Sequence, residues 1–194
     1  MKTVFFDIDT QIDFLFPAGS LYVPGAERLL PALAQLTRYA AEHSIPVVAS
    51  MDAHAEDDAE FQLWPPHCVA GTQGQRKPAD LLLEHRVTIP TTAGDYAIAG
   101  AQQIIVEKQT LDVFANSNLP RLLEQLEAER CVVYGVATEY CVRSAITGLL
   151  KTGARVELVG EGVREIDAAG AQVTLSEFAA AGGCLTTLAE VTAR

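Results

Sequence analysis

Short apolar runs recur along this chain, each followed by a longer segment whose apolar residues return at helical spacing. This alternation constrains the fold more than any other feature, because it is the pattern of a parallel sheet with helices on both faces. It predicts strands over 3–8, 46–50, 103–107, 131–135, 155–159 and 184–187, and helices over 26–43, 118–128, 139–151 and 168–181. Gly153 and Gly182 stand where helices should stop. Right-handed crossovers then give an α/β three-layer αβα sandwich. The stretch 51–102 breaks the rhythm with WPPHC, several glycines and TIPTTAGDY. It is expected to hold small irregular elements or a short extra strand, and loops of that length usually carry function.

The chain is long enough for one sizeable core, and a single domain over 1–194 is expected. Fourteen basic against 25 acidic residues give a net charge of −11. With no cluster of Lys and Arg, this argues against a nucleic-acid partner. No apolar stretch reaches membrane-spanning length, and the N-terminus, interrupted by Asp7 and Asp9, does not read as a signal peptide. Neither a membrane partner nor export is expected. Cys68, Cys131, Cys141 and Cys184 are too dispersed for a disulfide scaffold and are expected to be reduced, in the cytoplasm.

Open α/β sheets bind ligands beyond the carboxyl ends of their strands, so the residues there are the site candidates. In GVATEYCV (135–142), Thr138 can cap a helix whose first turn contains Cys141. Unpaired N–H groups and the helix dipole would favour a thiolate there and could receive an oxyanion. The alternative for Cys141 is a small buried hydrophobe. Asp9 follows the first strand and can accept a thiol proton, or can simply close the strand as a turn residue. Asp7 lies two residues earlier, on the same face if the strand continues, and blurs which carboxylate is meant. Lys108 ends IIVEK and can balance both a carboxylate and a thiolate, or stand solvated. Together the three make a nucleophile, a base and an electrostatic partner without a catalytic histidine.

Asp52-Ala53-His54 follows the second strand, and His67 stands behind two prolines. Carboxylate and imidazole donors suit zinc, iron or manganese, and Glu60, between the two histidines, is a further candidate ligand. A chance pairing of loop residues is the alternative. Phe14 and Trp64 could clamp a flat aromatic ring or serve as ordinary anchors. AGTQGQRK lacks the ending of a phosphate-binding loop, and no strand is followed by G-x-G-x-x-G, which argues against nucleotide binding by those modes.

DTQIDF, DAH, WPPHCVAGTQG, EK and GVATEYCV, in this order across roughly residues 4–165, resemble the isochorismatase-like cysteine hydrolases, and within them the nicotinamidase branch. The resemblance implies a six-stranded parallel αβα sandwich and a homo-oligomer. It implies Asp9, Lys108 and Cys141 as a catalytic triad, Asp52, His54 and His67 as ligands of a divalent metal, and Phe14 and Trp64 as ring clamps. It further implies a cis Val136–Ala137 bond, with the N–H groups of Ala137 and Cys141 forming an oxyanion hole. The expected substrate is a small amide, with nicotinamide giving nicotinate and ammonia; an N-carbamoyl compound and a non-catalytic protein on the same fold are the alternatives. A vinyl-ether hydrolase is disfavoured by Cys141, which that branch lacks. Three departures stand out: QTLDVFANSNL after Lys108, Tyr140 in place of a frequent histidine, and Asp7 in place of an apolar residue.

Overall fold

Strand β5 (Arg130–Val136) is buried at every position, as a strand covered by helices on both faces must be. A computed structural model describes residues 1–193 of the chain. Beside β5 run β1 (Thr3–Ile8), β2 (Val47–Asp52), β3 (Arg86–Ile89), β4 (Gln103–Lys108), β6 (Arg155–Arg164) and β7 (Cys184–Thr186). They form one sheet in the order β3-β4-β2-β1-β5-β6-β7, and every pairing is parallel.

The sheet has seven strands, one more than expected. β3 spans only four residues, RVTI, on the outer side of β4, and arises within the irregular 51–102 stretch. It is an edge strand and only partly buried, and the apolar run that marks the inner strands is absent. Strand β6 also runs five residues past its expected end. A register shift opposite Val133 and Gly135 lets it continue alongside β5 to Arg164.

Helices α3 (Leu119–Leu126), α4 (Arg143–Lys151) and α5 (Ala168–Ala180) bury Leu122, Ile146, Leu149 and Phe178 against Phe6, Ile8 and Val133 on one face. On the other face α1 (Ile12–Leu15), α2 (Leu30–Glu42) and α6 (Leu188–Thr192) pack against Phe5, Val132 and Tyr134. Adjacent Phe5 and Phe6 thus serve opposite cores, and neither is more than 1% exposed. Burying each contributes roughly 1.5–3 kcal/mol. The expected helix over 26–43 divides into a 3-10 turn (Ala26–Leu29) and α2, with Pro31 in its first turn.

The chain leaves β1 for β2 on one side and returns to β5 on the other, so the strand order reverses between β1 and β5. That switch point opens a crevice at their carboxyl ends. Gly135 makes the close approach there possible. Its φ is +125°, and a Cβ would lie 2.0 Å from the Ile8 carbonyl oxygen, so no other residue fits.

Candidate active site

Asp9 is the first residue beyond β1 and turns with φ +49°. Asp52 and Lys108 are the last residues of β2 and β4, paired with each other across the sheet, rather than the first residues after them. Cys141 follows β5. These four side chains from four strand ends meet at the base of the crevice. Lys108 Nζ lies 2.8 Å from Asp9 Oδ2, bonds to Asp52 Oδ1, donates to the Thr110 carbonyl at 2.9 Å and stands 3.7 Å from Cys141 Sγ. Asp9 Oδ1 accepts a 2.7 Å hydrogen bond from the Ser50 hydroxyl, which also receives the Asp9 N–H.

The turn carrying Cys141 differs from expectation. Residues Thr138–Val142 form a π-helical turn, in which the Val142 N–H reaches back five residues to the Ala137 carbonyl at 3.2 Å. Thr138 lies inside that turn; the cap position belongs to Ala137, and the Thr138 hydroxyl caps nothing. The Val136–Ala137 peptide bond is cis, as the resemblance implied.

Protonation follows from burial. Burial pushes the Cys141 thiol well above its ordinary range, and the pull of Lys108 does not overcome it, while Asp9 and Asp52 add to the rise. Against the expectation of a thiolate-favouring position, burial and the two facing carboxylates push the thiol up. Asp9 is also raised, by burial first, with Lys108 opposing. Asp52 is equally desolvated, yet Lys108, His54 and His67 hold it well below the usual carboxylate range. Of two carboxylates on one ammonium group, Asp52 stays ionised and Asp9 is the one able to carry a proton.

Asp7 is not a rival base. Its carboxylate accepts from the Thr10 hydroxyl at 2.7 Å and pairs with Lys77 at 3.2 Å. Sequence reasoning missed Lys77, seventy residues from its partner.

Asp52, His54 and His67 converge, with one ligand atom from each lying within 4.8 Å of the others. Asp52 Oδ2 is 3.7 Å from His54 Nε2 and 3.8 Å from His67 Nε2. The opposite ring nitrogens are committed: His67 Nδ1 donates to the Pro65 carbonyl at 2.8 Å, and His54 Nδ1 meets Asp58 Oδ2 at 3.0 Å. Such partners fix ring orientation and leave Nε2 facing inward. His54 Nε2 is buried without a hydrogen-bond partner, and a cation is what would satisfy it. The residues fit a divalent metal. A one-residue bridge between His54 and Val69 brings the two histidines together. Glu60 lies outside the three-residue cluster but on the wall of the adjoining cleft.

That cleft opens to solvent, and the space within its walls, open solvent included, is about 410 Å3. Cys141, Val136, Ala137, Asp52, His67 and Glu60 all line it. Phe14 and Trp64 both form its walls, as expected. The Phe14 ring packs 5.4 Å from His67, and Trp64 meets Tyr140 edge-on at 5.3 Å. Leu21, Leu111 and Ile166 complete an apolar rim that sequence reasoning did not single out. Phe14 is aimed by Asp13, whose carboxylate accepts from the N–H groups of Cys68 and Ser20. Gly74 lies so close to it that a Cβ would fall 2.1 Å from Asp13 Oδ2.

The isochorismatase domain model matches residues 90–190, more than half of the chain. The chain belongs to the isochorismatase family. This isochorismatase-family protein is 24% identical to the nicotinamidase of Escherichia coli (strain K12), over 94% of its own length and 93% of the relative's. It is 28% identical to the nicotinamidase/pyrazinamidase of Mycobacterium tuberculosis (strain ATCC 25618 / H37Rv), covering 75% and 77% of the two chains. The crystal structure of the pyrazinamidase of Pyrococcus horikoshii in complex with zinc superposes with a TM-score of 0.82 at 26% identity, covering 96% of this chain and 99% of that one. The branch named by the motifs is the branch these relatives carry in their names.

Proposed function

We propose that this protein is a cysteine amidohydrolase that cleaves a small, neutral aromatic carboxamide, with nicotinamide the leading substrate, giving nicotinate and ammonia. The observation that carries this reading is the meeting of Asp9, Lys108 and Cys141 at the floor of a cleft walled by Phe14 and Trp64. The names of its relatives support the same reading.

Cys141 Sγ attacks the amide carbon while Asp9 takes its proton. Coupling the two events avoids a free thiolate, which burial disfavours. Lys108 balances the charge without leaving the ion pairs that hold it. The carbonyl electrons move onto oxygen, which the backbone N–H groups of Ala137 and Cys141 receive. Collapse breaks the C–N bond, Asp9 returns the proton to nitrogen, and ammonia departs. A water, deprotonated by Asp9, then hydrolyses the thioester and restores the thiol. Asp52, His54 and His67 would hold a divalent metal, zinc being the first expectation with iron or manganese as alternatives, and Glu60 is the remaining candidate donor. When bound, such an ion would supply a Lewis-acid anchor for a ring nitrogen of the substrate.

The cleft's own charge discriminates among amides. Asp52 and Glu60 face it, and among the described residues no lysine or arginine lines it. An N-carbamoyl amino acid would bring a carboxylate with no cationic side chain to receive it. The test is ammonia release by the metal-loaded protein from nicotinamide beside a panel of N-carbamoyl amino acids and aliphatic amides. Turnover of nicotinamide well above the panel supports the proposal, and preference for an anionic amide would contradict the substrate reading.

A further inference from the structure

Lys77 is a charged side chain that the mechanism above does not use, and it is almost wholly buried. Its side chain is shut from solvent, and its ammonium group reaches the two sides of the turn that carries Asp9. It bonds to Asp7 Oδ2 at 3.2 Å and to Thr10 Oγ1 at 3.0 Å, while Thr10 Oγ1 donates to Asp7 Oδ1 at 2.7 Å. The three polar groups close a ring. Asp7 and Thr10 flank Asp9, the residue with φ +49°, from two positions before and one position after.

A non-glycine residue is uncommon in that backbone region, Asp being among the types that enter it at least cost. The ring joins both sides of the turn through one ammonium group. The same segment is tied again one residue further on. The Gln11 amide accepts from the Asp52 N–H at 2.7 Å and donates to the carbonyls of Asp52 at 2.9 Å and Gln75 at 2.8 Å, and the Ile12 N–H reaches the Arg76 carbonyl at 2.8 Å. The strand ends bearing Asp9 and Asp52 are thus anchored to the 75–77 segment, and Lys77 is its charged contact to the turn itself.

We propose that Lys77, with Asp7 and Thr10, is a positioning device for Asp9, holding its carboxylate in line between Lys108 and Cys141. None of the three touches the substrate cleft. The inference rests on the reading of Asp9 as the proton acceptor, and it assigns to this ring a role in proton transfer rather than in stability.

Stability and positioning can be separated. A buried ion pair contributes little or nothing relative to apolar residues of similar size, whereas removing one partner alone leaves an uncompensated charge. Lys77→Met is therefore expected to weaken folding. The combined variant Asp7→Leu, Thr10→Val, Lys77→Met removes the whole ring without leaving an orphan and is expected to fold.

The experiment compares wild type and the combined variant, both metal-loaded, for kcat and KM on nicotinamide, for bound metal, and for the pH dependence of Cys141 alkylation by iodoacetamide. A positioning role predicts unchanged metal content, KM within about 2-fold, kcat lowered about 10- to 100-fold as a displaced reacting group requires, and a shifted alkylation profile. Wild-type kcat and an unchanged alkylation profile in a folded combined variant would overturn the proposal. Should the wild type release no ammonia from any amide, the functional reading fails, and the alkylation profile still decides the positioning claim.

Discussion

Asp9 and Asp52, on adjacent strands, present their carboxylates to the same buried ammonium group, Lys108 Nζ, and the environment drives their proton affinities apart. Asp52 is held in its ionised form beside the two histidines, and the proposed mechanism gives Asp9 the proton exchange with the thiol.

Removing Asp9's basicity without removing its shape isolates that role. Asp9→Asn is expected to lower kcat by about 10²–10⁴-fold, the usual weight of a positioned general base, with bound metal unchanged. Steady-state ammonia release together with metal analysis checks it. Retention of more than a tenth of the wild-type rate would remove Asp9 from the mechanism.

Lys108→Met should act on stability as well as rate. It leaves Asp9 and Asp52 facing each other without a cation, and losing one partner of a buried ion pair costs about 3–5 kcal/mol. Denaturant unfolding of the metal-free variant should show a midpoint shifted to that extent, and an unchanged midpoint would contradict the buried network.

In the proposed mechanism Asp9 must be ionised to accept the thiol proton, so it is expected to set the acid limb of kcat/KM. Burial raises its folded value above the ordinary 3.8, so activity is expected to be lost as pH falls through a midpoint above that value. The sign for stability is opposite in sense. A raised carboxyl binds its proton more tightly when folded, so its contribution favours the folded state at low pH and declines as pH rises. A pH–rate profile with an acid midpoint at or below 3.8 would contradict the assignment.

Metal binding should carry its own pH dependence. Burial disfavours the charged form of His54, but Asp52 and Asp58 prevail and raise it above its ordinary 6.5. In the metal-free protein the stability from that protonated imidazole is full below 6.5 and is lost as pH rises through the raised value. A metal must displace the same proton from Nε2, so affinity should increase with pH across that interval, with proton release seen by calorimetry. Asp58→Ala, which frees the His54 ring, is expected to weaken metal affinity by about 10- to 100-fold; an affinity equal to wild type would show that the Asp58 contact does no orienting.

All four cysteines are free, and only Cys184 is exposed. Burial pushes Cys131 up to about 12. Alkylation of the native metal-free protein near neutral pH is expected to label Cys184 first, to reach Cys141 more slowly, and to spare Cys131. Peptide mass mapping reads the order. Rapid neutral-pH labelling of Cys141 would contradict the buried, unionised resting thiol.

How much of this was legible in the sequence depends on range. Strand ends are local: the apolar runs before Asp9, Asp52, Lys108 and Cys141 located all four, and the switch-point rule then gathered them. The candidate ligands His54 and His67 and the cis Val136–Ala137 bond came from spaced motifs. What remained hidden was tertiary. Ser50 beneath Asp9, Gln11 across Asp52 and Lys77 under Asp7 are hydrogen-bond partners separated by 41, 41 and 70 residues, and no local pattern marks them. Thr138 has the look of a cap, yet the cap position falls one residue earlier, on Ala137, and the chain opens into a π turn that ends on the core residue Val142. The upward push of burial on the Cys141 thiol was hidden for a related reason, since position at a helix start is visible in sequence and depth of burial is not.

The central claim is that Cys141 forms the bond to the substrate. Ammonia release from nicotinamide by Cys141→Ala, set beside wild type with equal bound metal and equal unfolding midpoint, tests it most directly. The account predicts activity at background in the variant. Turnover persisting at a substantial fraction of the wild-type rate would contradict it.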